Sequence, residues 1–162
     1  MANSTLRTNE EISELYSSHK NMIYRICFAY MKNAADTEDV IQETFIRLIK
    51  SGAAFANAEH EKAWLIRTAT NLCKNNLRHW WRRRENLDDH EGLQTHAFEV
   101  DNIFDIVMTL PDKYKTVVYL YYYEGYDSTE ISSILQKPQS TIRYLLMKAR
   151  NILREKLGGD FA

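Results

Sequence analysis

Between Gly125 and Leu153 the sequence spells out two helices and the turn that joins them. Gly125 closes the preceding segment, and Asp127 with Glu130 forms a capping box that starts a helix at Ser128. Gln136, Lys137 and Pro138 make a turn, because proline is excluded from a helix interior but suits a turn or a first helical position. The second helix sets Ile142, Leu145, Leu146, Ala149, Ile152 and Leu153 on one face at three-to-four-residue spacing. Ser140, Arg143, Tyr144, Met147, Lys148 and Asn151 fall on the other face. This is the layout of a helix-turn-helix, whose second helix enters the major groove of DNA. An ordinary helical hairpin with a solvated basic face would carry the same pattern.

The rest of the chain is compatible with that reading. It has 162 residues, only five Gly and two Pro, and no run of alternating β-branched residues, so an almost wholly helical fold is expected. The net charge of −1 argues against a nucleic-acid binder until its distribution is considered. Lys62 to Arg84 holds seven bases and no acid, Glu85 to Asp105 seven acids and no base, and Lys137 to Lys156 six bases against one acid. Two basic blocks separated by an acidic one form a patterned charge, the footprint expected of separate anion-binding faces. The longest apolar run, Val117 to Tyr123, is too short to span a membrane, and no basic-then-apolar leader opens the sequence. A cytoplasmic protein without membrane insertion is expected. Cys27 and Cys73 lie on apolar helix faces far apart in sequence, which favours two reduced core thiols over a disulfide.

The hydrophobic periodicity divides the chain into two small all-α domains, residues 8–84 and 101–157, joined by a flexible acidic linker over 85–100. The first helix is expected from Glu10 to Lys32, with Ile12, Leu15, Tyr16, His19, Met22, Ile23, Ile26, Cys27 and Tyr30 as its buried stripe. Asp36 is the expected cap of a second helix ending near Lys50. Ser51 to His60 reads as a loop carrying one exposed aromatic, Phe55, and a third helix follows from Glu61 to Arg84. In the second domain Leu110, Pro111 and Asp112 break the first helix from the next.

Within the third helix Arg67, Asn71, Lys74 and Arg78 recur at i, i+4, i+7 and i+11 and form one stripe, opposite Leu65, Ala69, Leu72, Cys73 and Trp80. Bases without acids suit phosphate, and an Asn among them can donate to and accept from a base edge. Trp80 and Trp81 beside Arg82, Arg83 and Arg84 add stacking surface next to charge, which suits single-stranded or melted DNA. A solvated basic face with Trp64 and Trp80 in the core is the alternative. In the second helix, Asp36, Glu38 and Asp39 are explained by the helix dipole. Glu43, two turns in, is not, and an acidic face bearing Gln42 is better explained as a docking surface for a basic partner.

Four strings together resemble a known family. Asp39-Val40-Ile41-Gln42-Glu43-Thr44-Phe45, then Ala63 to Leu72, then Leu110-Pro111 through Tyr123-Glu124-Gly125, and last the helix-turn-helix, are similar in order and spacing to the extracytoplasmic-function class of bacterial sigma factors. That class belongs to the sigma-70 superfamily of transcription initiation factors. The resemblance implies that Asp39, Gln42 and Glu43 dock on the coiled coil of the largest catalytic subunit of core RNA polymerase. It implies that Arg67, Asn71 and Lys74, with Arg78 on the same stripe, engage the minus-ten element, and that the Ser51–His60 loop, through Phe55, captures a flipped base of it. Ser140, Thr141, Arg143, Tyr144, Met147 and Lys148 would then read the minus-thirty-five duplex. An anti-sigma factor is a possible further partner. Many relatives carry Ser-Arg where this chain has Tyr144-Leu145, so the upstream motif does not carry over from them.

Two other classes compete. An autonomous helix-turn-helix regulator would bind a two-fold operator unaided, but leaves the acidic second helix and basic third helix unexplained. A metal protein would use Asp88, Asp89, His90, Glu91 and His96, whose spacing matches no closed site. No glycine-rich phosphate loop and no Ser/His/Asp or Cys/His set is present, so neither enzymatic activity, nor a cofactor, nor a metal site is expected.

Overall fold

The computed structural model describes residues 7–52, 54–84 and 102–157, with the side chains of 80–84, 102, 103 and 157 excepted. The expected acidic linker over 85–100, with its candidate metal ligands, lies outside the described residues. Every described element is helical, with no strand among the described residues, and the chain divides into two compact units at His96–Ala97.

The first unit holds α1 (Asn9–Met31), α2 (Ala34–Ser51) and α3 (Ala58–Arg84), each packed on the other two. Helix α1 starts in a capping box: Thr8 Oγ1 accepts from the Glu11 N–H at 3.1 Å while Glu11 Oε1 accepts from the Thr8 N–H at 3.0 Å. It stops at Lys32, whose φ of 65° turns the chain left-handed before α2. The cap of α2 is Asn33, not Asp36 as the sequence suggested. Asn33 Oδ1 takes the Asp36 N–H at 2.8 Å, and Asn33 Nδ2 donates to Asp36 Oδ2 at 2.8 Å. Asn and Asp are near-equal caps, and here the residue three positions earlier wins because Lys32 has already ended α1.

Helix α3 begins three residues before the expected Glu61. Asn57 Oδ1 accepts from the His60 N–H at 2.8 Å and Asn57 O from the Glu61 N–H at 3.2 Å, so Asn57 caps the helix and the loop shrinks to residues 52–57. The core between the helices is built from Ile23, Cys27, Val40, Leu48, Leu65, Ile66, Ala69 and Cys73, all fully buried. Cys27 and Cys73 are free thiols that meet in this core, and the hydrogen bond that the Cys27 thiol makes to Cys73, together with burial, raises the Cys27 pKa well above its ordinary value. Of the stripe expected on α1, Tyr16 departs: it is 41% exposed, its ring edge-on to Phe45 at 5.1 Å. Leu15 and Met22 of the same expected stripe are buried.

The second unit holds α4 (Asn102–Thr109), α5 (Asp112–Val118), α6 (Ser128–Leu135) and α7 (Gln139–Leu157). Leu110 and Pro111 separate α4 from α5 as expected. Helix α5 runs on into a π-helical turn over Tyr119–Tyr123, a feature no sequence period announced. Its end is formed by Gly125 at φ +81°, with the Tyr126 N–H reaching back to the Leu120 carbonyl at 3.0 Å. A Cβ on Gly125 would meet nothing within 4 Å, so glycine is required there by backbone conformation and not by space. Lys115 is buried at 2% exposure with Nζ 3.1 Å from Asp112 Oδ1, an ion pair within the first turn of α5. Lys156 Nζ donates to the Thr109 carbonyl at 2.9 Å and so joins the end of α7 to the end of α4.

Candidate nucleic-acid interface

Helix α7 is placed by the turn before it. Asp127 caps α6 through the capping box read from the sequence, its Oδ1 accepting from the Glu130 N–H at 2.8 Å. Gln136 turns the chain at φ 55°, and Ser132 Oγ donates to the Lys137 carbonyl at 2.6 Å. The Pro138 carbonyl then accepts the N–H groups of Thr141 and Ile142 at 3.0 and 3.2 Å, so proline starts α7 without sacrificing a donor. Gln139 Nε2 donates to Thr129 Oγ1 at 2.7 Å and ties the two helices together. The inner face of α7 is closed by Ile142, Leu146, Ala149 and Leu153, all buried, while Leu145 and Ile152 are half-buried. Ser140, Arg143, Tyr144, Met147 and Lys148 are exposed, and Thr141 is half-buried in the first turn. The expected reading face is therefore one continuous outer surface.

On the first unit the expected stripe of α3 is mixed in depth. Asn71 and Arg78 are exposed, whereas Arg67 and Lys74 are half-buried. Burial lowers the pKa of Arg67, which stays cationic at any physiological pH. Arg78 donates to Asn75 Oδ1 at 2.8 Å along the helix surface. The side chains of Trp80 to Arg84 lie outside the described residues.

Phe55 does not stand free in its loop. Its ring packs on Trp64 at 6.0 Å and edge-on to His60 at 5.4 Å, and the Arg7 guanidinium sits 5.0 Å over it. His60 Nδ1 accepts from the Ala56 N–H at 3.2 Å, which holds the loop against the first turn of α3. Arg7 lies before the first helix, and nothing in the sequence pattern connected it with this loop.

The acidic face of α2 presents Asp39, Gln42 and Glu43, all exposed. Glu43 Oε2 accepts from Arg47 Nε at 3.2 Å, an exposed pair one turn apart. Ile46 and Ile49 are also exposed on this helix, at 43% and 38%. Both fall off the buried stripe of Val40, Ile41, Phe45 and Leu48, so a helical wheel of α2 would have found them. Gln42 and Glu38 also line a groove of about 380 Å³ completed by Tyr16, Lys20, Asn21 and Tyr24 of α1. Burial and then the Glu38 carboxylate raise the Tyr24 pKa, and Lys20 Nζ lies 5.8 Å over the Tyr16 ring. Tyr16 falls on the apolar period of α1, so the sequence gives no sign that it lines a groove.

Residues 15–83 match the family model for sigma-70 region 2, and residues 101–153 match that for sigma-70 region 4. Over 91% of this chain and 89% of its own length, the ECF RNA polymerase sigma factor SigW of Bacillus subtilis (strain 168) is 28% identical. The chain belongs to the extracytoplasmic-function class of the sigma-70 family. The ECF RNA polymerase sigma-E factor of Haemophilus influenzae is likewise 28% identical, over 88% of this chain and 85% of that protein. Among solved structures, the sigma factor RpoE in complex with the anti-sigma factor NepR from Bartonella quintana shares the fold with a TM-score of 0.72 at 18% identity, over 93% of this chain and 99% of that one. CnrH in complex with the cytosolic domain of CnrY gives 0.69 at 18% identity, over 98% and 95%.

The unit of α1 to α3 thus contains the region 2 match, and the unit of α4 to α7 the region 4 match. Among the described residues no helix of this sigma factor is long and apolar enough to cross a membrane.

Proposed function

We propose that this chain initiates transcription by binding core RNA polymerase in the cytoplasm and directing it to promoters, without catalysing a reaction itself. The observation that carries this reading is the separation of charge by element: an exposed acidic face on α2, a cationic stripe on α3 and a cationic outer face on α7. A self-sufficient DNA-binding protein has no use for the first of these. In this reading Asp39, Gln42 and Glu43 dock on a basic surface of the polymerase. Phe55, Arg67, Asn71, Lys74 and Arg78 hold the melted minus-ten element, and Ser140, Thr141, Arg143, Tyr144, Met147 and Lys148 read the minus-thirty-five duplex.

Joining two weak DNA contacts through one polymerase raises their combined affinity by effective concentration. The SigW relative is named for RNA polymerase, and RpoE, a protein of the same fold, was solved with the anti-sigma factor NepR, which supports a polymerase partner and an anti-sigma partner for this chain as well. The deciding experiment compares promoter binding by the purified chain alone and with core polymerase. Weak binding alone and tight, specific binding with polymerase is expected. Tight, sequence-specific binding by the chain alone would mean an autonomous helix-turn-helix regulator instead.

A further inference from the structure

The two most exposed of the large hydrophobic side chains on the described surface are Tyr144 at 54% and Met147 at 48%. They lie three residues apart on one face of α7, so they are surface neighbours. The core does not require them, since Ile142, Leu146, Ala149 and Leu153 already close the inner face. Around the pair stand exposed Arg143 and Lys148, and Lys148 Nζ lies 5.7 Å over the Tyr144 ring. From Lys137 to Arg154 the sequence has no acid. An apolar pair within an acid-free cationic face calls for a partner that is polyanionic yet offers a small apolar group.

Duplex DNA meets both conditions. Its phosphates match the cations, and in the major groove the apolar group is the C5-methyl of thymine. We propose that Tyr144 and Met147 read a thymine of the upstream element through its methyl group, while Arg143 and Lys148 supply the neighbouring guanine or phosphate contacts. The inference rests on α7 being the upstream reading helix and adds which base it selects. It also gives a reason for Tyr144-Leu145 at positions where many relatives carry Ser-Arg. The tyrosine extends the apolar contact, and Leu145, half-buried, turns toward the core where an arginine would reach outward.

Deoxyuridine pairs as thymine does but lacks the methyl, so it isolates this contact. Upstream duplexes are selected from a randomised library by the reconstituted holoenzyme, and each thymine in the selected element is then replaced singly by deoxyuridine. At one or two positions binding should weaken by about four-fold, the worth of one buried methyl-sized group. That sensitivity should shrink toward nothing in Tyr144→Ser and Met147→Ala, with folding checked by circular dichroism. A selected element without thymine overturns the proposal, as does insensitivity to every replacement or sensitivity that persists in both variants. A holoenzyme whose upstream footprint is absent, or is unchanged by Arg143→Ala, overturns the assignment of α7 as reading helix and the thymine contact with it. Protection of the upstream duplex without a methyl effect removes only the thymine contact.

Discussion

Arg150 of α7 donates through Nε to the Tyr122 hydroxyl at 2.9 Å, across 28 residues of sequence. The same guanidinium lies 5.7 Å over the Tyr121 ring. The Tyr122 hydrogen bond, opposed by burial, raises the Arg150 pKa further above its ordinary range. The bond ties the proposed reading helix to the π-helical turn, so the orientation of α7 depends on the irregular end of α5. Removing the hydroxyl alone, in Tyr122→Phe, should cost about 1 kcal/mol, since half-exposed Arg150 regains water in exchange. Native-state hydrogen exchange should show the slowest α7 amides exchanging about five-fold faster. Unaltered protection would show that this contact does not anchor the helix.

Charge reversal at Glu43 should separate docking from folding. Its pairing with Arg47 is exposed on both sides and one turn apart, a geometry worth roughly 0.3–0.5 kcal/mol. Glu43→Arg should therefore leave the melting temperature nearly unchanged while abolishing capture of core polymerase at moderate salt. Retained capture would remove α2 from the docking surface.

The two cationic helices should fail differently. Asn71 and Arg143 are both exposed, on α3 and α7 respectively. Arg143→Ala should weaken upstream duplex binding by about 1–3 kcal/mol and relax preference at one position. Asn71→Ala should leave that binding nearly intact but impair strand opening, seen as weaker permanganate reactivity in the minus-ten element. Identical defects in both assays would contradict a two-site division of labour.

The thiol pair makes the stability of the first unit sensitive to alkaline pH. The Cys73 hydrogen bond, then burial, holds the Cys27 pKa above the ordinary thiol value of 9.0, so the native state binds that proton more tightly than the unfolded chain. The resulting stabilisation is complete below pH 9.0 and is lost as pH rises from there toward the folded value. Urea unfolding followed by tryptophan fluorescence should show stability declining above about pH 9. A Cys27→Ala/Cys73→Ala variant, whatever its absolute stability, should have a shallower decline; an equal slope in the two proteins would rule the pair out as its source.

What could be read from the chain is what depends on neighbours in sequence. The capping box at Asp127 and Glu130, the start of α7 after Pro138 and the two faces of α7 are local consequences of spacing and side-chain chemistry. At the start of α2, Asn33 and Asp36 stand three residues apart and either is able to cap, so only the end of α1 at Lys32 chose between them. Family resemblance carried the reading further, because the four strings keep their order and spacing along the chain.

Tertiary structure alone decided which distant groups meet. Arg7 over Phe55, His19 Nε2 with Glu61 Oε1 at 3.0 Å, and Arg150 on Tyr122 join residues tens of positions apart. It also decided that Cys27 faces Cys73, that Tyr16 sits at the rim of a groove, and that α5 ends in a π-helical turn. A helical period states which side of a helix is apolar. How far each side chain is covered, and by what, depends on the angle and depth at which another helix packs there, and those are set jointly by the whole core.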